Sequence, residues 1–248
     1  MVNPLKESIH FYARHIESLL LISAVIVLPL LLVHNVAINY VNFLAALTGA
    51  PVVASFYNLF LLLLFLTLVQ IVFAKFVISE MEGEEKPLRK AFRTFWESGF
   101  SVFLYGIVYV LAVCIGLLLF VVPGVILLVL FYLTPYLTVM KQASPWKCLR
   151  SAFEMGKKHF VPILGLILLT SAIQWVIGLV GLASVTFITT SFGAVFFTQM
   201  ILTVLIFPFI AVMFTMYTVK WRTELMKAIE AEKMEAERVE AERLVVEG

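Results

Sequence analysis

The sequence predicts an all-α membrane protein, with six transmembrane helices arranged as three repeated hairpins, each preceded by a short amphipathic interfacial helix. Three observations predict it. Of the 248 residues, 62% are hydrophobic and 14% charged, against roughly 45–50% and ~25% in soluble domains. Residues 18–74, 98–140 and 159–219 contain no Lys, Arg, Asp or Glu. A pattern, Lys-x-hydrophobic-Arg-[Ser/Thr]-x-x-Glu-x-Gly, begins at Lys90 and again at Lys147, each time leading into an apolar run. This composition excludes a disordered chain, a collagenous chain, a disulfide scaffold and an ordinary cytosolic enzyme. A transmembrane barrel would show short alternating segments instead of long apolar runs.

The first element is an interfacial helix over about 4–16. Pro4 suits a first helical turn, where its missing N–H costs nothing, and Asn3 is placed to cap it. Leu5, Ile9, Tyr12 and Ile16 form one stripe, and Lys6, His10 and Arg14 lie opposite. This long amphipathic lead is unlike a cleaved signal peptide. Residues 18–74 then hold two spans, since each needs ~20 apolar residues. His34, Asn35, Asn39 and Asn42 mark the expected connection, a solvated loop with an interfacial turn.

The second unit repeats the plan. Pro87 opens an interfacial helix over about 87–98, with Leu88, Phe92, Phe95 and Trp96 on one face and Arg89, Arg93 and Glu97 on the other. The window 98–140 fits two spans only with a tight turn, and Val121–Gly124 (VVPG) is placed to supply it. The third unit starts with Ser144 as cap and Pro145. A helix over about 145–157 carries Trp146, Leu149, Phe153 and Gly156 opposite Lys147, Arg150, Glu154 and Lys158. Arg93/Glu97, Arg150/Glu154 and Glu154/Lys158 stand at i,i+4, where opposite charges meet. Residues 159–219 hold the last two spans. The membrane domain therefore covers 1–219, and 220–248 form a charged cytoplasmic helical tail with six basic and eight acidic residues. Leu225, Ile229, Ala236 and Val239 give that tail only a thin apolar stripe.

Charge distribution sets the topology. With two spans between successive charged clusters, all clusters share one side, and Lys and Arg mark the cytoplasmic side. Both termini are thus expected in the cytoplasm. The loop from Lys141 to Lys158 has five basic residues and one Glu. A short amphipathic helix beside a span lies in the interface, with Trp96 and Trp146 at headgroup level. Arg89, Lys90, Arg93, Lys147, Arg150, Lys157 and Lys158 are therefore the candidate contacts for anionic lipid headgroups. The plainer reading is that these helices only anchor hairpin ends. Within the spans, Gln70, Gln174 and Gln199 form a candidate polar path, although amides and small residues also serve plain helix–helix contact. Pro29, Pro135 and Pro208 interrupt three spans and are candidate hinges.

Chemistry-bearing constellations are missing from the sequence. All sixteen acidic residues are Glu. Metal-protease, nucleophile-elbow and phosphate-loop motifs do not occur. His10, His15, His34 and His159 are scattered, and Cys114 and Cys148 lack a CxxC or zinc-like neighbour. No catalytic, cofactor or metal site is expected, and no nucleic-acid partner. Ion-coupled carriers usually carry an ionisable group deep in a span, and none occurs here.

From about Lys75 to Leu169 the chain resembles the YciC-like bacterial membrane proteins, related to the membrane domain fused to some glycerophosphodiester phosphodiesterases. The carrying residues are Pro123-Gly124 after a long apolar run, Pro135 near the next span's end, and Leu149-Arg150-Ser151 followed by Gly156. Lys141-Gln142 departs from the pattern, where an acidic residue would follow the span. The resemblance implies a six-span protein of the bacterial plasma membrane and carries over no catalytic residue. The fused phosphodiesterase activity belongs to a separate soluble domain that this chain has no room for. The expected function is a non-catalytic accessory or membrane-organising role through lipid or partner-protein binding, with a transporter or lipid-translocating component as the alternative. A cavity reaching both leaflets and lined by the glutamines would favour transport; a solid bundle would favour scaffolding.

Overall fold

A computed structural model describes residues 3–189 and 191–247. Every regular element among them is helical: α1 (Pro4–Arg14), α2 (Ile16–Ile22), a π-helical turn (Ser23–Val27), α3 (Leu28–Thr48), α4 (Pro51–Met81), α5 (Pro87–Leu119), α6 (Val121–Phe131), α7 (Thr134–Lys141), α8 (Pro145–Lys158), α9 (Phe160–Ile188) and α10 (Phe192–Glu247). Six stretches are long and apolar enough to cross a membrane: Ile16–Thr48, Pro51–Met81, Pro87–Leu119, Val121–Lys141, Phe160–Ile188 and Gly193–Ala231.

The connections are short, and three of them differ from the sequence expectation. His34, Asn35, Asn39 and Asn42 lie inside α3 and not in a loop. Asn35 and Asn39 donate to the carbonyls of Leu31 and Asn35, both at 2.8 Å, so helix continuation satisfies them without solvent. The first hairpin turns instead at Gly49, whose φ of +66° favours a residue lacking Cβ. Val121–Gly124 is the first turn of α6, and the second hairpin reverses at Phe120 alone. So tight a reversal requires close backbone approach: a Cβ on Gly116 would sit 2.9 Å from Gly124 Cα. The second interfacial helix is not separate either, because α5 runs unbroken from Pro87 to Leu119. Breaks do occur in the other two copies, at His15 (φ −115°, ψ 24°) and His159 (φ −114°, ψ 30°).

Prolines act differently in the three interrupted spans. Ahead of Pro29, the π turn Ser23–Val27 accommodates the lost donor. Before Pro135, the fourth span breaks at Tyr132–Leu133 between α6 and α7. Tyr105 and Tyr109 of α5 donate their hydroxyls to the carbonyls of Phe131 (3.2 Å) and Leu128 (2.9 Å) near that break. Carbonyl acceptors loosened inside a span need partners from a neighbouring helix. Pro208 sits within continuous α10.

The charged loops converge at one end of the bundle. There Ser8 Oγ, which donates to the Pro4 carbonyl at 2.7 Å, lies 3.3 Å from Met216 Sδ, His15 lies 3.7 Å from Glu80, and the His159 ring stacks on Trp221 at 5.4 Å. The half nearer this end is solidly packed. Leu19, Ile22, Phe73, Phe76 and Val212 form one fully buried group; Tyr136, Leu137, Met155, Ile163 and Phe214 belong to another. Toward the uncharged end the bundle loosens. Val36, Phe43, Leu118, Trp175 and Ile188 are all well exposed there, as expected for surface facing apolar solvent. The α9 helix is mostly exposed and packs chiefly on α10.

Candidate functional site

Two regions bring the sequence-selected residues into defined surroundings: the α8 surface at the charged end and a chamber inside the loose half.

On α8 three faces are distinct. Cys148, Ala152, Met155 and Gly156 are buried against the bundle. A Cβ on Gly156 would lie 2.6 Å from the Leu130 carbonyl oxygen and 2.7 Å from its Cα, so the two helices touch backbone to backbone. Trp146 and Phe153 are 48% and 44% exposed, which leaves an apolar face unburied by protein. Lys147, Arg150, Glu154, Lys157 and Lys158 occupy the rest of the surface, all exposed. The predicted stripe of Trp146, Leu149, Phe153 and Gly156 is thus divided, with Gly156 on the core and the tryptophan and phenylalanine outside. Between α6, α8 and the start of α9 runs an apolar groove of about 610 Å³, floored by Val121, Val125, Ile126 and Leu130, with Lys157 on its rim.

The basic candidates are not equally available. Arg93 Nε donates to Glu97 Oε1 at 2.6 Å, and Arg150 Nε to Glu154 Oε1 at 3.1 Å. Lys90 lies 3.5 Å from Glu84, which also accepts from the nearly buried Lys75 at 3.1 Å. The turn through Gly83 (φ +66°) brings Glu84 back onto α4. The Ser79 side chain and the Lys75 ammonium hold the Glu84 carboxyl down at about 2. Glu84 therefore clasps α4 to α5, and Lys90 belongs to that clasp. Arg89, Lys147, Lys157 and Lys158 are in no ion pair among the described residues.

Near the chain's start lies a feature that sequence reasoning missed. An open cleft is lined by Lys6, His10, Arg14 and His15 of the N-terminal segment, Glu80 and Met81 of α4, and Met216 of α10. The sign of its lining is mixed. Leu5 and Ile9 stay exposed while Pro4 and Ser8 are buried, so α1 seats on α10 by a face one step round from the predicted stripe.

The chamber has a volume of about 560 Å³, is lined by residues of α3, α4, α6, α9 and α10 with Val27 at its base, and opens sideways at the exposed Leu62, Ser171 and Gln174. Gln174 and Gln199 line it, together with His34, Thr170, Ser171 and Thr203. Gln199 Nε2 donates to the Gly178 carbonyl at 2.9 Å, tying α10 to α9. Gln70 does not join them. It is 3% exposed, sealed in the core beside the Tyr132 side chain. The three glutamines therefore do not form one path. Val27, Phe207 and Ile210 floor the chamber, and the packed half lies beyond them. Its volume falls within the ~300–1,000 Å³ usual for small-molecule sites. Along α10, as on the tail's thin stripe, Leu225 is half-buried against the core and Ile229 exposed; the side chains of Ala236 and Val239 lie outside the described residues.

Among the described residues no three His, Cys or Glu side chains gather as metal ligands. No known protein family, curated protein or solved structure matches the chain.

Proposed function

We propose that this is a non-catalytic multi-pass protein of the bacterial plasma membrane, with cytoplasmic termini, in an accessory or membrane-organising role. In this reading α8 binds anionic lipid headgroups, and partner proteins have the tail to dock on. The resemblance of residues 75–169 to the YciC-like proteins is part of the same proposal. The observation that carries it is the division of α8 into a seated face, an exposed Trp146/Phe153 face and a basic face. Such a helix lies flat with its aromatic residues among the headgroups and its lysines toward the phosphates. The α5 cations contribute less, because Glu84 and Glu97 already engage Lys90 and Arg93.

Native mass spectrometry in mild detergent tests this. A basic residue near an anionic leaflet is worth about 1 kcal/mol. Replacing Lys147, Arg150, Lys157 and Lys158 by Gln is therefore expected to weaken preference for phosphatidylglycerol over phosphatidylcholine by about tenfold or more. An unchanged preference refutes the role of α8.

The second reading is transport or lipid translocation, favoured by the meeting of Gln174 and Gln199 in the chamber. It requires the packed charged half to open, because the chamber ends at Phe207 and Ile210. The headgroup-binding reading needs no such movement.

A further inference from the structure

We propose that the chamber is a binding site for an uncharged single-chain amphiphile drawn from the leaflet on the uncharged side. This ligand is separate from the anionic lipid assigned to α8.

Polarity along the chamber is graded. The α9 helix enters from the charged end and α10 from the other, so Gln174, Gly178 and Gln199 stand nearer the uncharged end than Thr170, Phe207 and Ile210. On α3, His34 likewise stands nearer that end than Val27. The polar ring is thus His34, Gln174 and Gln199 around the Gly178 backbone; hydroxyls of Thr170 and Thr203 follow, then an apolar floor. From Gln199 to Ile210 at ~1.5 Å per residue, the graded wall is about 16 Å deep. A head sits in the ring and an apolar chain points to the floor, which is also how an amphiphile of that leaflet is oriented.

The class of head follows from the lining. No Lys, Arg, Asp or Glu contributes to it. By the same helical rise, Gln199 lies about 10 Å inside the start of α10 and Gly178 about 15 Å inside the end of α9. A formal charge at such depth without a partner is costly. Amides and hydroxyls instead match a hydroxyl- or ester-bearing head. The Gln199 amide uses its Nε2 on Gly178, leaving Oε1 to accept from a ligand hydroxyl. That oxygen leaves unmet hydrogen-bonding capacity at the ring, which a purely apolar chain would not satisfy.

The test uses 1-oleoylglycerol and its phosphorylated counterpart, 1-oleoylglycerol 3-phosphate, added to the purified full-length protein and read by native mass spectrometry. Expected is retention of the neutral probe at least fivefold above the phosphate. Gln174→Leu with Gln199→Leu should lower that retention at least fivefold. Ser171→Phe, which fills the chamber from an exposed position, should do the same without touching the interhelical bond. The quadruple α8 variant should leave it unchanged, which separates this site from the headgroup surface. Equal retention of both probes, no retention of the neutral one, or retention undiminished in both chamber variants overturns the proposal.

Discussion

Gly99 and Gly156 occupy the same place in the repeated sequence pattern, and the structure predicts opposite responses to the same substitution. A methyl group added at Gly99 would have nothing within 4 Å, whereas one added at Gly156 would stand 2.6 Å from the Leu130 oxygen and 2.7 Å from its Cα. In Gly99→Ala the methyl meets open space, and the helix gains roughly 0.5–1 kcal/mol from the lost glycine flexibility. In Gly156→Ala the same gain is available, but carbon contacts need ~3.5–4.0 Å. The obstruction is backbone, so α8 must withdraw by about 1 Å. That lifts Cys148, Ala152 and Met155 from their seats; overpacking of this kind costs typically 1–3 kcal/mol. The net expectation is a loss of up to about 2 kcal/mol, against a gain near 0.5–1 kcal/mol for Gly99→Ala. For a chain of this size each kcal/mol corresponds to ~2–4 °C in Tm. Thermal unfolding of both variants in one detergent, followed by intrinsic fluorescence, measures the difference. If Gly156→Ala melts as high as Gly99→Ala, α8 is not seated on Leu130 and the three-faced description of that helix fails.

Two further outcomes follow from the charged end. The Glu84 carboxyl is held at about 2, below its ordinary 4.5, so its contribution is fully present above 4.5 and is lost as pH falls through 2. Glu84→Gln should therefore melt lower than the parent at neutral pH, with the gap closing between pH 4.5 and 2; a gap that persists undiminished at the acid end refutes the clasp. Single cysteines at Glu84 and Lys147 should resist an impermeant reagent added outside intact cells, and labelling of either position reverses the proposed topology.

Sequence alone determined the helical class and the number of helices long and apolar enough to span a membrane. Hydrophobic transfer and backbone hydrogen bonding are local demands, so three uncharged windows suffice to give six apolar helices. Capping of α1 was legible for the same reason, and Asn3 accepts from the Leu5 N–H at 3.1 Å. So were the ion pairs Arg93–Glu97 and Arg150–Glu154, because i,i+4 geometry needs nothing beyond one helix. What each face packs against was decided only by tertiary structure. Gly99 and Gly156 read alike, yet only Gly156 meets another backbone. Gln70, Gln174 and Gln199 read as one set, yet the rotation and tilt of their helices buries the first and turns the other two into the chamber. Helical phase gives the face a side chain occupies, while the neighbouring helix is chosen by packing across the bundle, where residues distant in sequence meet.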